Sequence, residues 1–549
     1  MHLSPLDIGV VVVYAIFIFV LAQLVSREKA GHKKNAQDYF LASRALPWWA
    51  IGTSLIAANI SAEQIIGMSG SGYAIGLGIA SYEWMAALTL LIVGKFFLPI
   101  FLKNQIYTMP EFLKRRYGRA TQFVMAILWL LLYVFVNLTS ILWLGATAVH
   151  TVSGLTQDQS ITVLAVFAGA YALYGGLKAI ALTDVVQVSM LVMGGLVIVY
   201  IALERVSGGT GVAGLISGFH TLMTHSPDHF HMILKPDSKF YKDLPGISVI
   251  VGGMWIANLS YWGFNQYIIQ RALAAKSINE AQKGIVLAAF LKLLIPVLVV
   301  VPGIAAVMLA PGLPRPDQAY PTLMTFLPSG LLGLVFAALI AAIIASMGSK
   351  INSIATIFTI DVFKTFSRNA SERTLVIVGR LTAVTALVIA WYTAKPLLGS
   401  WDQGFQFIQD FTGFFTPGIV VIFVLGMFWR RSTQAGALTG AIGSVVLSAL
   451  CYYVKWPHVP STDAFWQSPS MAPVAAFLTR LADIPFMNRM GYVFLICLGL
   501  SVLVSLMGRP KPERVTVDVT NVSYKTSVFF NGASLLIIAI LVALYTVFW

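Results

Sequence analysis

The sequence is poor in charged residues for its length. Of its 549 residues, 11% are charged and 58% are hydrophobic, and the mean hydropathy is +0.81. A soluble domain has about 25% charged residues, so a water-facing surface of this size would be left largely apolar. The shortage of charge therefore excludes an ordinary soluble protein and indicates that the bilayer is the solvent.

Cysteine is also scarce. Cys451 and Cys497 lie in or beside apolar runs, which excludes a disulfide framework and a paired-cysteine metal motif. We interpret both as small buried hydrophobic residues. The zincin and Walker motifs are missing, and the glycine-rich stretch 70–72 follows no predicted strand. Because no nucleophile–base pair or metal-ligand set is evident either, the sequence does not predict an enzyme.

Long apolar runs dominate the chain instead. A membrane-spanning helix needs about 20 residues at 1.5 Å per residue. About fourteen stretches meet this need, and we number them spans 1 to 14: 6–26, 47–69, 75–101, 121–149, 158–178, 183–203, 246–268, 284–310, 328–348, 374–395, 405–428, 434–454, 488–508 and 527–548. Asp7 opens span 1 and a basic loop follows it, the reverse of a cleaved signal peptide, so span 1 is expected to be a membrane helix. The chain is predicted to be an all-α membrane protein.

Basic residues indicate the orientation of these spans. The net charge is +14, but the Lys and Arg residues form no basic face or tail, so nucleic acid is not an expected partner. They fall in alternate loops, at 27–44, 103–119, 271–283, 350–373, 430–431 and 509–525. The opposite short loops 70–74 and 150–157 carry none. The positive-inside rule then predicts that both termini face outside, which requires an even number of spans.

Spans 2 and 7 have apolar residues at their ends but polar and small residues in the middle. The polar stretches are 57–64 in span 2 and 255–266 in span 7. Interrupted helices at matching positions of two halves are a sequence sign of a transporter site. The alternative is two continuous helices packed through small residues.

The five-span separation of these stretches predicts two five-helix repeats related by an in-plane pseudo-twofold axis. The expected divisions are 1–44 for the first flanking helix and a cytoplasmic loop, 45–204 for the first repeat with spans 2–6, 205–245 for an external loop, 246–430 for the second repeat with spans 7–11, and 431–549 for flanking spans 12–14.

Three charged residues inside predicted spans are candidate site residues, because a charge there costs about 2.5–3.5 kcal/mol on insertion scales. They are Glu63, Glu83 and Lys292. Together they could line a polar cavity and hold a hydroxyl-rich solute. Alternatively, each glutamate takes part in a structural ion pair or a helix cap, and the lysine snorkels to the interface. At the inner end of span 6, Asp184 is either a helix cap or a waypoint for a departing cation.

An aromatic ring and a set of oxygens are the other candidate binding groups. The ring of Tyr261, in mid-span, could stack on the apolar face of a pyranose. A sodium ion could be held by hydroxyls and by carbonyls of an unwound helix, such as those at Ala57, Ile60 and Ala342 with the hydroxyl of Ser346. The alternative for Ser346 is a small residue in helix packing.

Long strings of this sequence resemble the sodium/solute symporter family. They are 54–64, 67–73, 80–84 and 255–267, and the similarity runs from about residue 38 to the C-terminus. Within the family, the branch of bacterial sodium/galactose and animal sodium/glucose cotransporters is the most similar. The resemblance implies a leucine-transporter-like fold of two inverted five-helix repeats with flanking helices.

The resemblance also implies residue roles. Sugar-binding positions are matched by Gln64, Glu83, Asn258, Tyr261, Lys292 and Gln409. Tyr261 matches the inner gate, and the outer gate is matched by Met68, Tyr82 and Phe405. The sodium site is matched by Ala57, Ile60, Ala342, Ala345 and Ser346. Asp184 matches the ion exit route.

Two positions depart from the family pattern. Ala345 stands where the family usually has a hydroxyl, so one of about five sodium-binding oxygens is missing. We expect this to weaken sodium binding or to change the coupling ion. Ala86 stands where the galactose transporter has a serine near the sugar, which bears on the identity of the sugar.

The function implied is sodium-coupled import of a galactose- or glucose-like monosaccharide by alternating access. The expected location is the plasma membrane, and more specifically a bacterial inner membrane. The expected partners are sodium, the sugar and the lipid bilayer. Two alternatives stay open at this point. One is a symporter of another small polar solute or with another coupling ion, and the other is a sugar sensor that does not transport.

Overall fold

A computed structural model describes residues 3–26, 46–106, 108–172, 177–367, 369–455, 468, 472–508 and 517–549. Within helices, the side chains at 19, 22–26, 171, 172, 177–184 and 453–455 lie outside that description. The described residues are almost entirely helical and contain no β-strand beyond one isolated bridge. The all-α prediction is confirmed.

Helices are found in every one of the fourteen predicted spans. In chain order their bounds are Pro5–Ser26 (span 1); Trp48–Asn59, Glu63–Met68 and Ser69–Ala74 (span 2); Leu77–Ala80, Ser81–Ile92, Val93–Phe97 and Leu98–Lys103 (span 3); Arg119–Leu131, Leu132–Leu138 and Thr139–Ser153 (span 4); Gln157–Ala172 (span 5); Leu177–Ser207 (span 6); Ser248–Val251, Gly253–Leu259, Ser260–Phe264 and Gln266–Leu273 (span 7); Ile278–Leu309 (span 8); Leu331–Thr356, Ile357–Phe363 and Lys364–Phe366 (span 9); Glu372–Leu398 (span 10); Gly404–Thr412 and Thr416–Phe428 (span 11); Gln434–Lys455 (span 12); Phe486–Met507 (span 13); and Val528–Val547 (span 14). Connecting segments carry the helices Met109–Arg116, Gly211–His225, Pro227–Phe230, Pro316–Gln318, Ala319–Met324 and Ala472–Ala482.

Span 2 is broken where the sequence predicts. Its first helix ends at Asn59, and Ile60 is extended, with φ −69° and ψ 105°. The chain resumes as a π-helical turn from Glu63 to Met68. The hydroxyl of Ser61 accepts a hydrogen bond from the backbone N–H of Glu63 at 3.2 Å, which satisfies one donor that the break leaves without a helical partner. The alternative of a continuous helix is therefore wrong for span 2.

Span 7 is broken in the same manner. A π-helical turn, Ser260–Phe264, ends at Asn265, which is extended with φ −83° and ψ 123°. The phenol of Tyr133 in span 4 donates to the side-chain oxygen of Asn265 at 2.8 Å and so ties the break to a neighbouring helix. Both interruptions are buried in protein, as irregular backbone at membrane depth must be.

Span 8 packs along span 2 and brings it close to span 3. Its helix contacts Trp48–Asn59, Ser69–Ala74 and Ser81–Ile92. Glycine permits this approach, because a Cβ added at Gly303 would lie 2.2 Å from the carbonyl oxygen of Ser69. The close packing fixes the broken helix against a long continuous one.

The surface and the helix lengths identify a multi-pass membrane protein. Large apolar side chains such as Phe167, Leu381 and Leu495 are exposed at 59%, 63% and 61%. Among the described residues, nine helices are long and apolar enough to cross a bilayer, or ten when the bent pair of span 11 is taken as one. The broken spans 2 and 7 fall short of the length criterion because each is divided into shorter pieces. The number fourteen stays a prediction.

One feature of the predicted topology is wrong. The sequence places Lys350 in a basic loop after span 9, but that helix continues to Thr356 and the helical path extends to Phe366. Lys350 is 1% exposed and lies inside the protein. The apolar run ends near residue 348 although the helix does not, because the following residues pack against protein and have no need to be apolar.

Candidate functional site

The two broken helices meet at a polar cavity. Side chains from spans 2, 3, 4, 7 and 11 line it. Of the predicted site residues, those in the lining are Gln64, Tyr82, Glu83, Asn258, Tyr261, Phe405 and Gln409. The lining also contains Glu63, the candidate charge in span 2. The fold thus brings together residues that are up to about 350 positions apart in sequence, 64 and 409 being the extremes of the predicted sugar set.

Lys292 lies directly behind the lining. Its side chain is fully buried, and its ammonium donates hydrogen bonds to Oε2 of Glu83 and to Oδ1 of Asn59. The ammonium also lies 4.8 Å from the centre of the Trp262 ring, within the range of a cation–π contact. Snorkelling to the interface is therefore wrong for Lys292. The pairing with Glu83 satisfies a charge that would be very costly to bury alone.

Tyr261 stands at one wall of the cavity, held by hydrogen bonds. Its hydroxyl accepts from the amide of Asn59 at 3.1 Å and from the hydroxyl of Tyr267 at 3.3 Å. Its ring meets Trp262 edge-on at 5.2 Å between centres. A chain of contacts therefore runs from Glu83 through Lys292 and Asn59 to Tyr261.

An aromatic pair forms another part of the lining. Tyr82 and Phe405 meet edge-to-face at 5.0 Å between ring centres, and both are buried. Met68, predicted as the third member of this gate, is fully buried but is not in the lining. Ala86, the departure near the sugar, is likewise buried and outside the lining.

The predicted sodium-site residues lie on two helices that pack together. Ala57 and Ile60 flank the end of the first helix of span 2, which contacts span 9. In span 9, Ala342, Ala345 and Ser346 are all buried. The hydroxyl of Ser346 has no hydrogen-bond partner among the described residues. A buried hydroxyl without a partner is costly, and a bound cation would satisfy it.

Asp184, the predicted ion exit, is in the helix Leu177–Ser207. Its side chain lies outside the described part of the structure, and its role stays a prediction. No group of three or more His, Cys, Asp or Glu side chains within the described ranges could hold a metal ion.

Several polar groups of this region have no individual role assigned from the sequence. Asn59, Asn137 and Asn265 line the cavity. The sequence shows Asn137 as an amide inside the apolar run of span 4, but it does not show that this side chain points into the cavity. The ion pair between Glu63 and Lys350, at 3.2 Å, agrees with the alternative of a structural ion pair for Glu63, but its partner is missed because the sequence places Lys350 in a loop.

Two broken helices around a buried polar cavity are the arrangement of transporters with the leucine-transporter-like fold. Comparison with solved structures supports this class. A Na⁺-coupled sialic acid symporter in a substrate-bound outward-open state covers 92% of this chain and 99% of its own, with a TM-score of 0.74 at 21% identity. Mhp1, a transporter of the nucleobase-cation-symport-1 family, covers 88% and 100%, with a TM-score of 0.50 at 14% identity. At these identities the likeness establishes the fold alone.

The sequence comparisons identify the family. A family model described as "sodium:solute symporter family" matches residues 39–443. A sodium/glucose cotransporter of Vibrio parahaemolyticus is 46% identical over 100% of this chain and 99% of its own length. Human sodium/glucose cotransporter 4 is 32% identical over 94% of this chain and 78% of its own. Human sodium/myo-inositol cotransporter 2 is 33% identical over 83% and 71%.

The chain belongs to the sodium:solute symporter family. It is thus a transporter and not an enzyme, and the family name gives sodium as the coupling ion. The family and the fold expected from the sequence are confirmed.

Proposed function

We propose that this protein imports a monosaccharide of the glucose or galactose type together with sodium. The main observation in support is the buried hydrogen-bonded group of Lys292, Glu83 and Asn59 at the cavity. The ammonium and the carboxylate neutralise each other's charge. Their remaining protons and lone pairs can then form hydrogen bonds with the neutral hydroxyls of a sugar. The first-mentioned relative, at 46% identity, is named a sodium/glucose cotransporter, which supports the choice of solute.

The remaining predicted sugar contacts suit a hydroxyl rim. Gln64, Asn258 and Gln409 offer amide donors and acceptors around the cavity, and amides recognise hydroxyl groups without adding charge. The ring of Tyr261 supplies an apolar face for the sugar ring. An anionic solute would favour an unpaired cation, whereas Lys292 is already paired with Glu83. A neutral polyol such as the one named in the myo-inositol relatives is the competing substrate class.

Sodium is proposed to bind between spans 2 and 9. The ligands would be backbone carbonyls near Ala57, Ile60 and Ala342 and the hydroxyl of Ser346. The unpartnered, buried hydroxyl of Ser346 supports this site. Because Ala345 provides no hydroxyl, sodium binding should be weak. Sodium bound there would hold spans 2 and 9 together and stabilise the outward-open state.

Alternating access would follow from movement of one helix bundle against the other. After sodium and sugar bind, the outer gate of Met68, Tyr82 and Phe405 closes. Sodium then leaves past Asp184, and Tyr261 moves aside to release the sugar. The chain is proposed to be divided into the repeats 45–204 and 246–430, with both termini outside a bacterial inner membrane.

Uptake of labelled glucose into proteoliposomes tests the sugar site. Gln64→Ala removes an amide from the cavity lining and should reduce uptake at least about fivefold, because an unpaired sugar hydroxyl costs about 1–3 kcal/mol. Gln282→Ala is the matched control: Gln282 is 3% exposed against 7% for Gln64 and bonds the Gly94 carbonyl outside the cavity. Equal uptake by both variants would refute the site.

A further inference from the structure

A second buried ion pair lies beside the cavity. The ammonium of Lys350 in span 9 is 3.2 Å from Oε2 of Glu63, in the π-helical turn of span 2. The two side chains are 1% and 5% exposed. Charges at membrane depth persist only when they are paired or functional, and this pair joins the same two spans as the proposed sodium site.

The pair leaves one carboxylate oxygen open. Oε1 of Glu63 is buried and has no hydrogen-bond partner among the described residues, although Glu63 lines the cavity. An unpartnered carboxylate oxygen is a strong, hard ligand for a cation. The lysine therefore engages this carboxylate without satisfying it.

The surroundings of Lys350 suit a cation. Its ammonium lies 5.2 Å from the centre of the Tyr267 ring, and the hydroxyl of Tyr267 donates to that of Tyr261. Lys350 also follows Ser346 by four residues in one helix, which places both on the same face, one turn apart. The lysine charge thus lies next to the proposed inner gate and the proposed sodium site.

We propose that the ammonium of Lys350 is a tethered cation that fills a second alkali-cation position at Glu63. In the native protein this position needs no transported ion, since the side chain supplies the positive charge. Removal of the ammonium opens the position to sodium, which has the carboxylate and the nearby oxygens as ligands. The inference rests on the proposed function only in the choice of sodium as the ion.

Counting bound sodium tests this proposal. The purified, reconstituted full chain is saturated with radioactive sodium without sugar, and the bound ions per chain are compared among variants. K350M should bind one ion more than the unchanged protein. K350R keeps a cation and should match the unchanged protein. E63Q/K350M removes both charges and should also match it.

Two results would overturn the proposal. One is an unchanged count in K350M, as would follow if Glu63 only took up a proton. The other is a lower count in E63Q/K350M than in the unchanged protein, because Glu63 would then already be a sodium ligand. K350Q keeps a polar donor beside Glu63 and should also bind one ion more than the unchanged protein, so it decides the matter if K350M fails to fold. Failure of sugar binding leaves these counts unaffected and is detected separately by uptake.

Discussion

Lys292→Met gives the sharpest test of the cavity's energetics. The change removes the ammonium that bonds Glu83 and Asn59 and keeps a side chain of similar length. The carboxylate of Glu83, 5% exposed, would then be buried without a countercharge.

The magnitude follows from that burial. Breaking a buried ion pair by removing one partner costs about 3–5 kcal/mol, whereas replacing both partners is often close to neutral. K292M should therefore lose about 3–5 kcal/mol of folding free energy, and E83Q/K292M should recover most of it. The surface pair Lys395–Asp158 is the matched control, with side chains 63% and 64% exposed. K395M should cost no more than about 1 kcal/mol.

Unfolding of the purified variants by denaturant in mild detergent, with tryptophan fluorescence as the signal, measures these differences. Uptake measured in parallel separates stability from binding. K292M and E83Q/K292M should both lose sugar uptake, but only K292M should be strongly destabilised. Equal stability of K292M and K395M would refute the reasoning, because the Lys292–Glu83 pair would then behave as an exposed one.

Two further predictions concern sodium and pH. A345S restores a hydroxyl beside Ser346. Because a hydrogen bond or contact to a charged group is worth about 1.5–3 kcal/mol, half-maximal uptake should need at least about tenfold less sodium. An unchanged sodium dependence would argue against a sodium site at this position. Asp317 lies in the loop helix between spans 8 and 9, where burial raises its pKa to about 7 although it accepts a bond from the Gly404 N–H. Because the folded state then binds the proton more tightly than the unfolded chain, this group's contribution to stability falls as pH rises from about 4 to 7 and is level above. D317N should lack that decline in unfolding midpoints measured from pH 5 to pH 8, and parallel profiles would contradict the assignment.

The local features of the fold are those that the sequence predicts best. Polar and small residues in the middle of spans 2 and 7 predict the breaks, because such residues compete for backbone hydrogen bonds and cannot face lipid. The breaks at Ile60 and Asn265 both fall inside the predicted stretches. The residue types within a span are enough to predict a break, because the bilayer requires apolar residues wherever a helix faces lipid.

Contacts between distant spans are less accessible to sequence reasoning. The Lys292–Glu83 pair can be anticipated because both charges lie well inside apolar runs. Lys350 lies at the edge of such a run, where a loop residue and a buried residue look alike. Its pairing with Glu63 depends on the orientation of span 9 about its own axis where it packs against span 2. No local sequence pattern specifies that orientation.

The central claim is that this protein couples sugar import to sodium. The most direct measurement is uptake of labelled galactose and glucose into proteoliposomes under an inward sodium gradient, compared with choline at matched pH. Accumulation of sugar above the external concentration with sodium, and its absence with choline, is the predicted result. Equal uptake with both cations, or no uptake of either sugar, would contradict the account.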